Sequence, residues 1–436
     1  MKILKFGGTS VSSAEMMKKV AELVRNDSEK IVVLSAMSGS TNKLVEITEY
    51  LYNKKNELAV ELIDVFEKDY YKVVKELFST PEYITKGNEL IKYHFDFIRS
   101  FTQDLFTIYE EKAVLAQGEL ISSSLFHFYL SENKINSVLL PALNFMRIDT
   151  NGEPDNYYIK ENLNRELKEH SSCILFITQG YICRNLYGEI DNLKRGGSDY
   201  SASLIGAAVG AYEIQIWTDV SGFHFNDPRY VKNTKPISRL SFDEAAELAY
   251  FGAKILHPTS ILPAKKANIP VRLKNTLNPS DPGTLITAVP LGRGIKAIAA
   301  KDGITVIKIR SDRMLLAYGF LRKVFEVFER YKTPIDMIST SEVAVSVTID
   351  NAVNLDKIIE ELESYGSVDV SRNMTIICMV GDNIIEQRGY IHEIFSALNN
   401  IFVRMISFGG SRHNISVLVS SEDKVNALNT LNEIFE

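Results

Sequence analysis

The sequence predicts a mostly parallel α/β sheet sandwiched by helices, followed by two small α+β units. Three observations predict it. Short β-prone runs alternate with helical stretches over the first ~290 residues; the stretch 41–117 interrupts that rhythm with helical periodicity alone; and a repeat of roughly 70 residues fills the C-terminal part.

The expected strands are Ile3–Phe6, Ile31–Ser35, Ser137–Leu140, Ile174–Thr178, Ile214–Thr218 and Pro270–Leu273. Helical patterns between them include Ser10–Arg25, Glu119–Leu130, Ser201–Val209 and Phe242–Phe251. Alternation of this kind argues for parallel strands covered on both faces. The charged, strandless stretch 41–117 reads as a helical insertion at the mouth of the sheet. The texture changes at Leu291-Gly292-Arg293-Gly294, so the first domain is taken as 1–290, with the repeated units at 291–372 and 373–436. Within the repeat, the strand from Ile304 recurs from Met374, and Gly319-Phe320 recurs as Gly389-Tyr390, each pair opening an amphipathic helix. Met337-Ile338-Ser339 recurs as Met405-Ile406-Ser407, and the strand from Val343 recurs from Ile415. Val343, Val345, Val347 and Ile349 alternate onto one face.

The 436 residues suffice for two or three domains, and 45% hydrophobic with 24% charged content is that of a soluble globular protein. A net charge of −6 argues against nucleic acid as a partner. No apolar run reaches the ~18 residues of a membrane span, and Gly7-Gly8 interrupts any signal-peptide core, so no membrane partner and a cytoplasmic location are expected. Cys173, Cys183 and Cys378 lack metal-ligand spacing and read as buried thiols in a reducing compartment.

KILKFGGTSV carries the strongest chemical signal. A strand holding Lys5 ends in Gly7-Gly8, whose backbone can turn amides onto one anion, and Thr9 and Ser10 follow at an expected helix N-terminus. A second such site is LKRGGSD, where Arg195 offers a planar fork and Ser198 a helix N-cap. Each alone reads equally as a tight turn; two in one α/β domain point to phosphate. Ser35, Ser38, Ser40 and Thr41 follow the strand at Ile31, where crevices of open sheets hold ligands, though Ser40 or Thr41 also suits a plain N-cap. Glu119, near an expected helix start, compensates a dipole or holds a substrate ammonium. Thr218-Asp219 end a strand, Asp227-Pro228-Arg229 is a turn, and Lys254 closes a helix; a solvated Lys254 and a structural His257 are the plainer readings. There is no G-x-x-x-x-G-K-[ST], no protein-kinase H-R-D set, no strand-following G-x-G-x-x-G and no clustered Cys/His metal site.

Together, KFGGTSV, VVLSAMSGSTN, Gln117-Gly118-Glu119, RGGSD, WTDVSG with DPR, and FGAKILHP resemble the aspartate kinases of the amino acid kinase superfamily, in order and spacing over nearly the whole chain. The resemblance implies the amino acid kinase fold followed by two ferredoxin-like ACT domains, one threaded through the other. It implies transfer of the γ-phosphoryl of ATP, with Mg²⁺, to the β-carboxylate of L-aspartate, the first step towards lysine, threonine, methionine and diaminopimelate. With no homoserine dehydrogenase region after Glu436, the likeness is to the monofunctional type.

By position, the resemblance puts Lys5, Asp199 and Arg195 nearest the transferred phosphoryl, and Gly7, Gly8, Thr9 and Ser10 in the phosphate loop. Thr41, Glu119, Arg195 and Ser198 fall where aspartate binds. Thr218, Asp219, Arg229 and Lys254 fall at nucleotide positions, with His224 where relatives usually carry Tyr. Met314, Gly319, Phe320, Leu321, Asp336, Ser341 and Glu342 resemble the lysine-sensing site of lysine-inhibited members, while Leu316 and Ala317 replace its common His and Ser. Lysine is thus the expected effector, and a homodimer through the ACT domains, or a tetramer, the expected assembly. Metal ligands are not assigned. The competing readings are another amino acid kinase, such as a glutamate 5-kinase, and a catalytically inactive ACT-type sensor.

Overall fold

The computed structural model describes residues 1–26, 28–103, 105–193, 196–253, 255–289, 292, 294–311 and 318–435. They divide into two units. The first comprises Met1–Gly222, Ser238–Phe242 and Leu256–Val289; the second comprises Phe223–Ile237, Asp243–Ile255 and Pro290–Glu436.

Up to residue 289 the chain runs through β1 (Lys2–Phe6), α1 (Ala14–Val24), β2 (Lys30–Leu34), α2 (Ser40–Tyr52), α3 (Asn56–Leu77), α4 (Pro81–Ser100), α5 (Ile108–Glu132), β3 (Val138–Leu140), α6 (Ala142–Phe145) and α7 (Asn156–Glu169). It continues through β4 (Leu175–Gln179), β5 (Ile182–Arg184), β6 (Ile190–Asn192), α8 (Gly197–Val209), β7 (Glu213–Thr218), β8 (Arg239–Ser241), α9 (Phe242–Tyr250), α10 (Leu262–Lys266), β9 (Val271–Asn275) and β10 (Thr284–Thr287). Eight of the strands form one sheet in the order β3-β4-β2-β1-β7-β9-β10-β8. All neighbours are parallel except β9 and β10, as a mostly parallel α/β reading requires. Ile31, Val32, Val33 and Leu34 are all fully buried, which is why β2 reads as an unbroken apolar run: helices cover both its faces.

The chain passes from β1 to β2 on one side, and later to β7 on the other. The carboxyl ends of β1, β2, β4 and β7 therefore surround a crevice at a topological switch point. The insertion is helical, as expected, and α2 to α5 pack on this sheet through Leu44, Ile63, Phe66, Phe95 and Ile121.

Four helix starts differ from the sequence reading. Gly8–Val11 is a short 3-10 turn, and α1 begins only at Ala14, with the Ser13 hydroxyl accepting from the Met16 amide. Gly39 and Gly196, not Ser40, Thr41 or Ser198, cap α2 and α8; both have positive φ (81° and 72°), which a β-carbon disfavours. Glu119 lies in mid-helix, because α5 starts at Ile108 behind a Thr107–Glu110 capping box. The strands β5, β6, β8 and β10 were not expected; they have three or four residues each and are held by pairing, not by periodicity.

In the second unit, β11 (Gly294–Arg310), α11 (Phe320–Arg330), β12 (Ile338–Thr340), β13 (Ala344–Ile349), α12 (Leu355–Leu362), β14 (Ser367–Asp382), α13 (Tyr390–Ala397), β15 (Met405–Ser407), β16 (Asn414–Ser420) and α14 (Lys424–Phe435) build an antiparallel sheet, order β12-β13-β11-β14-β16-β15. Gly319 and Gly389, both at positive φ, open α11 and α13 as the repeat implies. Val345, Val347 and Ile349 are buried on one face, while Val343, ahead of the strand, is exposed.

Both long strands are shared. Thr305–Arg310 of β11 pairs with β13, and 306–310 with 367–371 at the start of β14, whereas 294–301 pairs with 376–382, a stretch that overlaps the 374–380 segment paired with β16. The first strand of the second repeat thus precedes the first repeat in sequence. Residues 223–237 and 243–255 also belong to this unit although they precede residue 290. Phe225 and Val231 fill the core beside Ile298, Ile377 and Leu428, and Glu244 and Glu247 of α9 meet Lys296 and Ser411. Among the described residues no helix is long and apolar enough to cross a membrane.

Candidate active site

In the first unit a cavity of about 520 Å³ opens at the carboxyl ends of β1, β2, β4 and β7. Gly7, Gly8 and Thr9 line it after β1; Ser38, Thr41 and Asn42 after β2; Tyr181 after β4; Thr218 and Asp219 after β7; and Gly196, Gly197 and Ser198 at the start of α8. Glu119 reaches it from α5.

Lys5, second to last in β1, places its ammonium 2.6 Å from a carboxylate oxygen of Asp199 in the first turn of α8. Both side chains are mostly buried. A β-carbon on Gly7 would stand 3.4 Å from that ammonium, so the glycine turn runs directly beside the charge.

Two contacts narrow the phosphate loop. The Gly7 amide donates to the Trp217 carbonyl (3.1 Å), leaving Gly8 and Thr9 as the amides without a backbone partner among the described residues. The Ser10 hydroxyl is buried 2.7 Å from that of Thr276 and does not line the cavity. It joins β1 to the loop after β9, a structural role, whereas Thr9 is exposed.

Glu119 is the most unusual group. It is 4% exposed, and its Oε2 is buried without a hydrogen-bond partner. Burial pushes its carboxyl up to about 8; the Ala36 amide, its own backbone amide and the Lys5 ammonium pull the other way without cancelling this. Gly118 allows the approach: a β-carbon there would lie 2.8 Å from Cβ of Ala36, in the loop after β2. Gln117, one residue earlier, pairs with buried His94 of α4 (2.6 Å), and burial lowers the His94 pKa, keeping it neutral. The insertion also fixes the rim, since Tyr70 of α3 holds the Ser40 hydroxyl at 2.9 Å, next to Thr41.

Gly180 and Gly197 permit a second close approach. Side chains on them would meet Ser198 at 2.6 Å and Tyr181 at 2.5 Å. Tyr181, at φ 65°, donates its amide to Ser201 and turns its ring towards the cavity. Sequence reasoning missed Tyr181; the signal was Gly180 directly after β4, at the same level as the other lining loops.

The first 275 residues match the amino acid kinase family, and residues 377–435 match the ACT domain. Aspartokinase 3, chloroplastic, of Arabidopsis thaliana is 35% identical over 465 residues, covering 99% of this chain and 81% of that protein. Lysine-sensitive aspartokinase 3 of Escherichia coli (strain K12) is 32% identical over 437 residues, covering 97% and 96%. This chain belongs to the aspartokinases. Among solved structures, E. coli aspartokinase III in complex with aspartate and ADP (R-state) matches with a TM-score of 0.84 at 31% identity over 99% of both chains. The same enzyme in complex with lysine and aspartate (T-state) matches with a TM-score of 0.86 at 31% identity over the full length of both.

Of the expected site residues, Gly7, Gly8, Thr9, Thr41, Glu119, Ser198, Thr218 and Asp219 line one crevice of the first unit, and the Lys5–Asp199 pair stands beside its glycine turn. Thr218 donates its hydroxyl to Asp219 at 2.9 Å. Arg195, Lys254 and Met314 lie outside the described residues. His224 and Arg229 belong to the second unit, where Arg229 is held by Asp227 at 2.6 Å in the expected turn. There too, Gly319, Phe320 and Leu321 open α11, Asp336 precedes β12, and Ser341 and Glu342 turn between β12 and β13. His257 bonds Thr259 at 2.7 Å, a structural contact.

Proposed function

We propose that this chain transfers the γ-phosphoryl group of ATP to the β-carboxylate of L-aspartate, giving 4-phospho-L-aspartate, the entry to lysine, threonine and methionine synthesis. The carrying observation is Glu119: a buried carboxylate oxygen without a partner, in the same cavity as a glycine turn and beside a lysine-lined strand end.

Chemistry follows from charge. A β-carboxylate with a reference pKa of about 3.9 is already an anion, so no general base is needed. The obstacle is its repulsion by the triphosphate, roughly 4 kcal/mol for unit charges ~4 Å apart at an effective dielectric of about 20. Lys5 answers that at the transferred group, while Asp199 fixes where its ammonium stands. The amides of Gly8 and Thr9 take phosphate oxygens. Glu119 takes the substrate's α-ammonium, which supplies the missing partner and favours its ionised form. Thr41, Ser198 and Arg195 hold the carboxylates, and Thr218 and Asp219 serve the nucleotide.

Mg²⁺ fits this donor set. No cluster of three acidic, His or Cys groups among the described residues could cage a metal, and Mg²⁺ asks for no such cage, taking one or two carboxylates besides phosphate and water. Exposed Asp219 is the carboxylate that would complete its shell, where the ion would neutralise phosphate charge.

The ACT units take lysine as feedback effector through Met314, Gly319, Phe320, Leu321, Asp336, Ser341 and Glu342, and pair two chains as a homodimer. Support for pairing comes from β12, an exposed sheet edge carrying Ile338.

Incubation with ATP, L-aspartate and hydroxylamine tests the reaction. Aspartyl hydroxamate is expected; a product with glutamate but not aspartate would make this a glutamate 5-kinase, and no ATP turnover with either would leave an amino-acid sensor.

A further inference from the structure

Lys301, in β11, holds its ammonium 2.6 Å from Oδ1 of Asp336 and 2.8 Å from Oδ2 of Asp350. Asp336 stands just before β12 with its side chain 1% exposed, whereas Asp350, just after β13, is 38% exposed. The Tyr250 hydroxyl donates to the same Asp336 oxygen at 2.8 Å, and its ring lies 4.6 Å from the Lys301 ammonium. Asp336 Oδ2, in contrast, is buried without any hydrogen-bond partner. Glu247, one turn before Tyr250, is taken up by Ser411 and Asn414.

This cluster is over-supplied with acid. One ammonium faces two carboxylates, which leaves a net negative charge and an unused, desolvated acceptor on the more buried of them. A purely structural ion pair needs neither. Lysine also has the flexible stem that lets one charge move between two acceptors.

We infer that Lys301 is an internal competitor for the effector's ammonium: it occupies Asp336 when no effector is bound and withdraws to Asp350 when a ligand ammonium takes its place. The inference rests on the lysine reading above and deepens it. Two ammonium groups on one buried carboxylate would repel, so displacement is the arrangement that keeps each charge paired. Asp350 supplies the resting place, and Lys301 raises the lysine concentration needed by the fraction of time it fills the site.

Titration calorimetry of L-lysine into the full-length protein tests this with two variants of opposite expected sign. Lys301→Gln removes the competitor and should tighten lysine binding about tenfold; Asp350→Asn removes the resting place and should weaken it about tenfold. Wild-type binding with both variants inside twofold of it would overturn the inference, as would weaker binding in Lys301→Gln. If Lys301→Gln does not fold, by circular dichroism, exposed Asp350→Asn decides alone: a tenfold loss supports the inference and an unchanged affinity overturns it. No lysine binding by the wild type would overturn the effector reading and this inference with it, while leaving the hydroxamate result untouched.

Discussion

The Lys5 ammonium stands 2.6 Å from the Asp199 carboxylate, joining the end of β1 to the first turn of α8. Two glycine turns, far apart in sequence, are thereby set around one charge. Lys5→Ala should lower kcat about a thousandfold, the scale of losing one preorganised charge donor, with a much smaller change in KM. Asp199→Asn should cost less, since the ammonium remains but is held loosely. Steady-state kinetics on folded variants measure both; a kcat within threefold of wild type for Lys5→Ala removes it from the chemistry.

Glu119 as the seat of the substrate ammonium predicts that aspartate binding depends on pH. Its carboxyl is raised to about 8 by burial, so below that pH the empty site holds a proton that the substrate ammonium must displace. The KM for aspartate should therefore fall as pH rises, approaching roughly tenfold per unit well below 8. The stability of the substrate-free protein has the same origin: a carboxyl raised on folding stabilises least once it ionises, so stability should decline as pH rises from about 4.5 to about 8. Glu119→Gln should flatten both profiles and raise the KM; a sloping KM profile in that variant would assign the dependence elsewhere.

Gly118→Ala tests the approach of α5. Its β-carbon would meet Cβ of Ala36 at 2.8 Å, and neither partner is a flexible side chain. Overpacking of about 1–3 kcal/mol is expected, read as a lower Tm together with weaker aspartate binding as Glu119 shifts.

Ser10→Ala separates structure from nucleotide contact. Because the hydroxyl is buried against Thr276, the variant should lose about 1 kcal/mol of stability and keep its KM for ATP within twofold. A tenfold rise in that KM would return Ser10 to the phosphate loop.

The strand ends were legible because β1, β2 and β4 are buried, mostly apolar runs that stop at glycine or serine, and β7, which alternates polar and apolar residues, ends in Trp217-Thr218. The placing of Glu119 was less so. A helix start was expected near it, yet Thr107 and Glu110, spaced as a capping box, already marked the start at Ile108. The charges of the insertion obscured that signal, since α3 and α4 alternate polar and apolar residues in the same period. Ser10 shows a different limit. Its partner Thr276 is 266 residues away, a separation no local pattern reports. The repeat, by contrast, showed itself through Gly319-Phe320 and Gly389-Tyr390, where a left-handed turn precedes each helix.

The crossed order of the C-terminal strands bears on how the chain is made. Residues 294–301 leave the ribosome long before 376–382, against which they must lie, and before 414–420, which complete that half of the sheet. Until synthesis is nearly finished, this segment is an open edge able to take up the same stretch of another nascent chain. Termination between residues 310 and 376 would leave it without its partner strand, so the sheet of the second unit closes only late in synthesis.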